Sequence, residues 1–304
     1  MGIAVTIEHL NKSFSKTAAP AVNDVSFSVN AGELFGIVGA DGAGKSTLLR
    51  MLTTLILPDS GKARVFGFDV LNDYRDIRKQ AGYMPGRFSL YQDLTVEENL
   101  HFFATLFGTS LEANYHLIAD IYKQIAPYKD RRAGRLSGGM KQKLALCCAL
   151  IHHPEIMFLD EPTTGVDPVS RKEFWMILTR LKSLGITVIV STPYMDEAGL
   201  CDRIALMDKG TILAIDSPAN LVKRFPYDLY EVKASNRLTL LKILRSHQRV
   251  LSAYAFGEFA HAVFTDGTDL SEVNVYLSAA GQSGIIIRPV APTIEDYFVY
   301  LLQP

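Results

Sequence analysis

Two adjacent carboxylates, Asp160 and Glu161, end the run Glu155 to Leu159, which is apolar after its first residue. Such a run reads as a strand buried on both faces. Carboxylates at the carboxyl end of a central parallel strand lie where ligands bind in these sheets. Burying two acids for packing alone is costly. Asp160 suits the outer coordination shell of Mg2+, and Glu161 suits acceptance of a proton from an attacking water. A second chemical group precedes them in the chain. Gly39-Ala40-Asp41-Gly42-Ala43-Gly44-Lys45-Ser46-Thr47 fits the phosphate-binding pattern G-x-x-x-x-G-K-[ST] at every fixed position. Glycines let several backbone N–H groups turn inward toward a polyphosphate, and a helix starting near Lys45 adds its positive end. Lys45 supplies a point charge for the outer phosphates, and the Ser46 hydroxyl is placed to ligand Mg2+. The plain alternative is a glycine-rich strand-to-helix turn without a ligand. The complete match in the right context argues against it.

A third candidate is Leu136-Ser137-Gly138-Gly139, in front of a long apolar helix that stops at Pro154. Two glycines expose the first N–H groups of that helix and Ser137 adds a hydroxyl, which makes a second anion site. Four residues alone are weak evidence. Phe14, in a polar loop upstream of the phosphate loop, reads equally as ordinary core or as a platform for a base. His152 and His153 at the helix end read as satisfied imidazoles rather than metal ligands.

Around these groups the pattern sets out the elements. Ile3 to Ile7 and Ala21 to Val29 alternate as strands, and Leu34 to Val38 runs into the phosphate loop. Ala63 to Phe68 reads as one short strand after the Pro58-Asp59-Ser60-Gly61 turn, and Ala81 to Met84 leads into Pro85-Gly86. Residues 87–153 read as mostly helical, with Thr95-Val96-Glu97-Glu98 as a capping box. Ile186 to Val190 forms another buried strand, closing at Ser191-Thr192-Pro193. A hairpin turns at Asp208-Lys209-Gly210, and Asp216-Ser217-Pro218 marks a boundary. Beyond it, strand, helix, two strands, helix and strand follow in the split βαββαβ order of a ferredoxin-like domain. Thr293-Ile294-Glu295-Asp296 caps a last short helix, which reads as packing on its own domain.

Composition narrows the partners. At 304 residues and 48% hydrophobic, the chain is long enough for two domains. Lys plus Arg number 31 against 32 Asp plus Glu, and no basic block offers a nucleic-acid footprint. Cys147, Cys148 and Cys201 lack disulfide or zinc spacing and read as reduced core residues of a cytosolic protein. The start lacks the pattern of a signal peptide. The longest apolar run, Leu144 to Ile151, is far shorter than the roughly 18 residues that span a bilayer.

The ordered set resembles the nucleotide-binding subunit of ATP-binding cassette transporters: phosphate loop, Leu136 to Gly139 followed by Met140-Lys141-Gln142, Asp160-Glu161, and the loop Thr164 to Asp167. The likeness covers about residues 3 to 215. The tail, with Pro292 to Asp296, is similar to the extension of drug-resistance-type exporter ATPases whose permease is a separate polypeptide. The resemblance implies an α/β P-loop nucleotide hydrolase: a parallel core sheet, an antiparallel β subdomain and a helical subdomain near 87–153, all within residues 1–216. A ferredoxin-like accessory domain occupies 217–304. It implies ATP and Mg2+ as cofactors, Phe14 stacked on adenine, Val22 near the ribose, and the loop Gly39 to Thr47 around the phosphates. Glu161 becomes the general base, with Ser46 and Asp160 on the metal. Leu136, Ser137, Gly138 and Gly139 act on the γ-phosphate held by the opposite subunit, and Asp167 lies in the loop following the strand. Partners are a second ATP-binding subunit and an integral membrane permease, with the chain cytoplasmic and peripheral on the inner face of the membrane.

Two positions depart from that pattern. Gln is replaced by Gly86, and His by Pro193, and neither side chain can donate or accept. Losing one preorganised donor costs on the order of 10²-fold to 10³-fold in rate. The expectation is an ATPase that closes as a dimer on ATP to power transport, in the export direction, through the separate permease, and hydrolyses slowly or with a partner's assistance; a second possibility is that Glu161 alone positions the water and turnover is normal. The rival is a degenerate cassette that binds ATP as a regulatory wedge.

Overall fold

The computed structural model describes residues 2–15 and 19–303, which fall into two compact units divided between Ala219 and Asn220. In the first, β1 (Ile3–Lys12), β2 (Val22–Asn30), β3 (Leu34–Val38), α1 (Lys45–Leu52), β4 (Ser60–Val65), β5 (Phe68–Asp69), α2 (Tyr74–Gln80) and β6 (Ala81–Met84) come first. Then follow α3 (Val96–Leu106), α4 (Tyr115–Ile125), α5 (Gly138–Leu150), β7 (Ile156–Asp160), α6 (Pro168–Ser183), β8 (Thr187–Thr192), α7 (Met195–Ala198), β9 (Arg203–Asp208) and β10 (Thr211–Asp216).

Six strands make the central sheet in the order β10-β9-β3-β8-β7-β6, parallel except for β10 at its edge. Every residue of β3, β7 and β8 is buried, which is why these segments read as near-continuous apolar runs. Register aligns Asp160 with Ser191 across the β7–β8 pair and Val38 with Thr192 across β3–β8. Polar ends of two strands, β7 and β8, therefore meet where the phosphate loop leaves β3. A second sheet, β2-β1-β4-β5, is antiparallel. It shares one apolar core with α1 and the central sheet, through Val5, Leu10, Val25, Leu48, Leu52 and Phe158 among others.

The segment Ala63 to Phe68 is two strands, not one. Phe66 and Gly67 both have positive φ, 48° and 83°, and Val65 pairs with Phe68 across a two-residue turn. Phenylalanine rarely takes that conformation, so composition did not mark the turn. The strands at the site also run further than their apolar runs: β7 includes Asp160, and β8 includes Ser191 and Thr192. Helices α3, α4 and α5 form the helical region, with the Thr95–Glu98 capping box formed in both directions. Ion pairs Lys143–Glu173, at 2.6 Å, and Arg180–Asp120 tie α5 and α4 to α6.

After α8 (Pro218–Lys223), the second unit runs β11 (Leu229–Lys233), α9 (Arg237–Ser246), β12 (Val250–Phe256), β13 (Phe259–Phe264), α10 (Leu270–Ala279), β14 (Ile286–Val290) and α11 (Ile294–Leu301). Its antiparallel sheet has the order β12-β13-β11-β14, the ferredoxin-like arrangement. Val232, Ala260, Ala262, Leu240 and Val273 form its core. Helix α11 buries Ile294, Tyr297 and Phe298. Asp296, the partner of the Thr293 cap in the capping box, is fully buried and accepts from Tyr254 Oη and the Thr293 N–H and hydroxyl, each at 2.6 Å, with His261 Nδ1 at the same distance. Burial, the largest influence, pushes the Asp296 carboxyl upward, but the bonds from His261, Thr293 and Tyr254 outweigh it and hold the group below its ordinary range.

Candidate functional site

The phosphate loop is shaped by contacts that leave no room for side chains. A Cβ on Gly39 would lie 2.1 Å from the Met207 carbonyl oxygen, and one on Gly44 would lie 2.2 Å from that of Ala21. Gly44 also has φ 107°, as the residue that opens α1. Gly39 N–H donates to the Thr192 carbonyl, so the loop is tied to the end of β8. Asp41 and Gly42 are exposed, Ala43 is buried, and Ser46 and Thr47 are half-buried at the start of α1.

Four of the candidate residues meet here. Lys45 is buried and donates to the carbonyls of Gly39 at 2.8 Å and Ala40 at 3.0 Å, and it lies 3.1 Å from Glu161 Oε1. Ser46 Oγ donates to Asp160 Oδ1 at 2.8 Å, and Ser191 Oγ donates to the same oxygen at 2.8 Å. Glu161 has φ 49°, a left-handed backbone that only a well-fixed non-glycine residue keeps. Its N–H is held by the carbonyl of Ser191 at 3.1 Å and by Ser191 Oγ at 3.0 Å, and Thr164 Oγ1 lies 3.4 Å from Glu161 Oε2.

These groups fit a magnesium nucleotide. The donors around Asp160 and Ser46 are oxygens, which suit a hard cation, and one or two protein oxygens suffice when phosphates and water complete the shell. Among the described residues, no group of three His, Cys, Asp or Glu side chains could hold a metal by itself. The start of α1 with Lys45 offers the donors that an anion needs.

The remaining candidates are placed differently. Phe14 lies just beyond β1 with two thirds of its surface exposed and Lys12 Nζ 5.7 Å from its ring centre, which leaves a face open for stacking. Val22 has no exposed surface and packs in the core between the sheets, so its side chain presents nothing to a ribose. In the Leu136–Gly139 motif, Leu136 and Gly139 are buried, and a Cβ on Gly139 would lie 2.7 Å from Ser170 Oγ of α6. Ser137 and Gly138 are the exposed pair, and Ser137 Oγ caps α5 by accepting the Met140 N–H. Asp167 caps α6 through the N–H groups of Ser170 and Val169, bonds that lower its pKa. Gly86 closes on Asp160: a Cβ there would lie 3.0 Å from the Asp160 carbonyl oxygen. Pro193 follows Thr192 directly at the end of β8.

Sequence reasoning missed Ser191, Thr163, Thr192 and Glu197. Glu197, 2% exposed, accepts from Thr163 Oγ1 at 2.7 Å and Thr192 Oγ1 at 2.5 Å, and so braces the loops that follow β7 and β8. Hydroxyls at the carboxyl end of a strand buried on both faces were the available signal, because buried donors need partners. The three cysteines are buried, and burial pushes each thiol up, so none is an active thiolate.

A glycine-rich loop feeding a helix beside an aspartate–glutamate pair on a parallel sheet, with an antiparallel sheet and a helical region attached, defines a P-loop nucleotide hydrolase. The chain belongs to the ATP-binding cassette (ABC) transporter family, whose model, described as ABC transporter, matches residues 22–164. It is 37% identical to the Nod factor export ATP-binding protein I of Rhizobium sp. (strain N33), over 98% of this chain and 97% of that protein. It is also 37% identical to the probable multidrug ABC transporter ATP-binding protein YbhF of Escherichia coli (strain K12), over 98% of this chain. There it spans 52%, about half, of the relative's length. Among solved structures, cbiO1 from Clostridium perfringens, part of the ABC transporter complex cbiONQ, superposes with a TM-score of 0.65 at 25% identity, over 74% of this chain and 92% of that one.

Proposed function

We propose that this chain binds Mg-ATP and hydrolyses it to drive transport, in the direction of export, through a separate membrane permease. The observation that carries this is the convergence of Lys45, Ser46, Asp160 and Glu161 at the ends of β3 and β7. The export direction is taken from the names of the multidrug and Nod factor relatives. Among the described residues, no helix is long and apolar enough to cross a membrane, so the pathway belongs to a partner.

In this reading the loop from Gly39 to Thr47 and Lys45 bind the phosphates, and Phe14 stacks on the base. Ser46 and Asp160 would hold Mg2+, which supplies charge neutralisation at the β- and γ-phosphates when bound. Glu161 takes the proton of the attacking water. Its carboxylate lies 3.1 Å from Lys45 Nζ, so a phosphate that draws Lys45 toward itself also frees the base. Ser137 and Gly138 are exposed and available to the γ-phosphate held by a second ATP-binding subunit, homologous or identical, so two nucleotides are enclosed per dimer. Closure uses ATP's contacts with the closed state alone, and the equilibrium shifts by no more than that difference. The permease docks on the loop from Gly86 to Tyr91, where Tyr91 is half-exposed beside Phe102. The chain then sits in the cytoplasm against the inner face of the membrane.

A second reading, a regulatory cassette with little hydrolysis, is favoured by Gly86 and Pro193, which offer no side-chain donor. Steady-state phosphate release by the purified chain, set against Glu161→Gln, decides between them. The ATPase reading expects activity that Glu161→Gln removes by roughly 100-fold or more. Equal rates for the two proteins overturn it in favour of the regulatory cassette.

A further inference from the structure

We propose that Ser191 is the positioning residue that sets both acids of the site, the metal-side Asp160 and the base-side Glu161. This rests on the reading of the site as one for Mg-ATP. Ser191 is fully buried near the end of β8, and the register of the parallel pair places it beside Asp160. A serine hydroxyl has one proton to donate and lone pairs to accept. Here the proton goes to Asp160 Oδ1 at 2.8 Å, the oxygen that also receives the Ser46 hydroxyl. The same Ser191 Oγ accepts the N–H of Glu161 at 3.0 Å. Among the hydrogen bonds of the described residues, it is the side chain that bonds both acids.

The bond to Glu161 bears on an unusual backbone. With φ at 49°, Glu161 persists in a sparsely populated conformation only because neighbours over-determine it. Its N–H is held twice, by Ser191 Oγ and the Ser191 carbonyl, and its own carbonyl accepts the Thr164 N–H at 3.2 Å. The direction in which the Glu161 side chain leaves the strand is thus set from β8. The two positions that depart from the family pattern add no side-chain donor: Gly86 approaches Asp160 with backbone alone, and Pro193, two residues past Ser191, has none to offer. Ser191 ties the metal ligand and the base into one unit, so a change at either is felt at the other.

The test uses the full chain as wild type, Ser191→Ala, Ser191→Cys, Ser191→Thr, Glu161→Gln and the double variant Ser191→Ala/Glu161→Gln. Two quantities are read: Mn2+ affinity in the presence of ADP, by electron paramagnetic resonance, and kcat and KM for ATP hydrolysis. Removing the hydroxyl should weaken Mn2+ binding and lower kcat each by roughly 10-fold to 100-fold, with KM for ATP within about twofold. Ser191→Thr should restore most of both. Ser191→Cys keeps the volume but donates weakly, so it should show the same losses even if the alanine variant folds poorly. In the Glu161→Gln background the rate effect should vanish while the metal effect stays. Unchanged Mn2+ affinity in the alanine and cysteine variants overturns the proposal, as does a fall in kcat of equal size when Glu161 is already gone. Should the wild type fail to hydrolyse ATP, the functional reading falls, and the Mn2+ titration still decides the role of Ser191.

Discussion

At the scale of single residues, the site is a set of oxygens and one ammonium held by the backbone around them. Lys45 has three acceptors: the Gly39 and Ala40 carbonyls and Glu161. Phosphate oxygens must replace at least the last of these, so Lys45→Ala should abolish measurable ATP binding in a fluorescent-nucleotide titration, while Glu161→Gln should retain it. The two positions that depart from the family pattern differ structurally. Restoring glutamine at Gly86 brings a Cβ within 3.0 Å of the Asp160 carbonyl, so that neighbour must shift by a few tenths of an ångström. Pro193 sits just past the end of β8, half-buried, and already carries a Cβ. Pro193→His is therefore expected to raise kcat more than Gly86→Gln, by roughly 10²-fold if the imidazole meets developing charge. Phosphate-release rates of the two variants check this.

At the scale of elements, what matters is how closely the loop after β3 is gripped by its neighbours. Gly44 meets the carbonyl that precedes β2, and Gly39 meets Met207 of β9, so the phosphate loop is moulded by segments more than 150 residues apart in sequence on the β9 side. Gly44→Ala adds a collision with backbone to a φ of 107°, and it should lower stability by at least the ~1–3 kcal/mol of an overpacked core and also abolish nucleotide binding. Urea denaturation with and without ATP measures both. The grip was partly legible beforehand: the glycine spacing announced the loop, yet nothing in the spacing said which glycine is demanded by conformation and which by a neighbouring carbonyl. In the same way the buried ends of β7 and β8 were visible as apolar runs. The register that sets Ser191 against Asp160 was not, because pairing depends on which strands become neighbours.

At the scale of the molecule, two consequences are open to measurement. If Ser137 of one subunit acts on nucleotide held by Lys45 of another, Glu161→Gln with ATP should double the mass by light scattering, and Ser137→Arg should prevent that. A mass that stays monomeric under these conditions counts against the shared site. In the second unit, Asp296 joins α11 to β12 and β13 through Tyr254 and His261. Its folded-state pKa lies below the ordinary value, so its charge contributes stability that is present above the unfolded carboxylate range, about pH 3.9, and is lost as pH falls through the lowered value. Hydrogen exchange of the whole chain should show protection in residues 250–264 and 294–301 that is level from pH 5 to 7 and drops below about pH 4. Asp296→Asn should be less protected throughout and lack that acid step.

Local chemistry by itself determined the phosphate loop, the acid pair, the caps at Thr95 and Thr293 and the alternation of the second unit, because each is written in neighbours along the chain. Tertiary structure alone decided that Val22 is core, that Leu136 and Gly139 pack inward while Ser137 and Gly138 face out, and that Ser191 holds both acids. Those outcomes depend on which strands lie side by side and which faces they bury, and spacing along one chain does not carry that information.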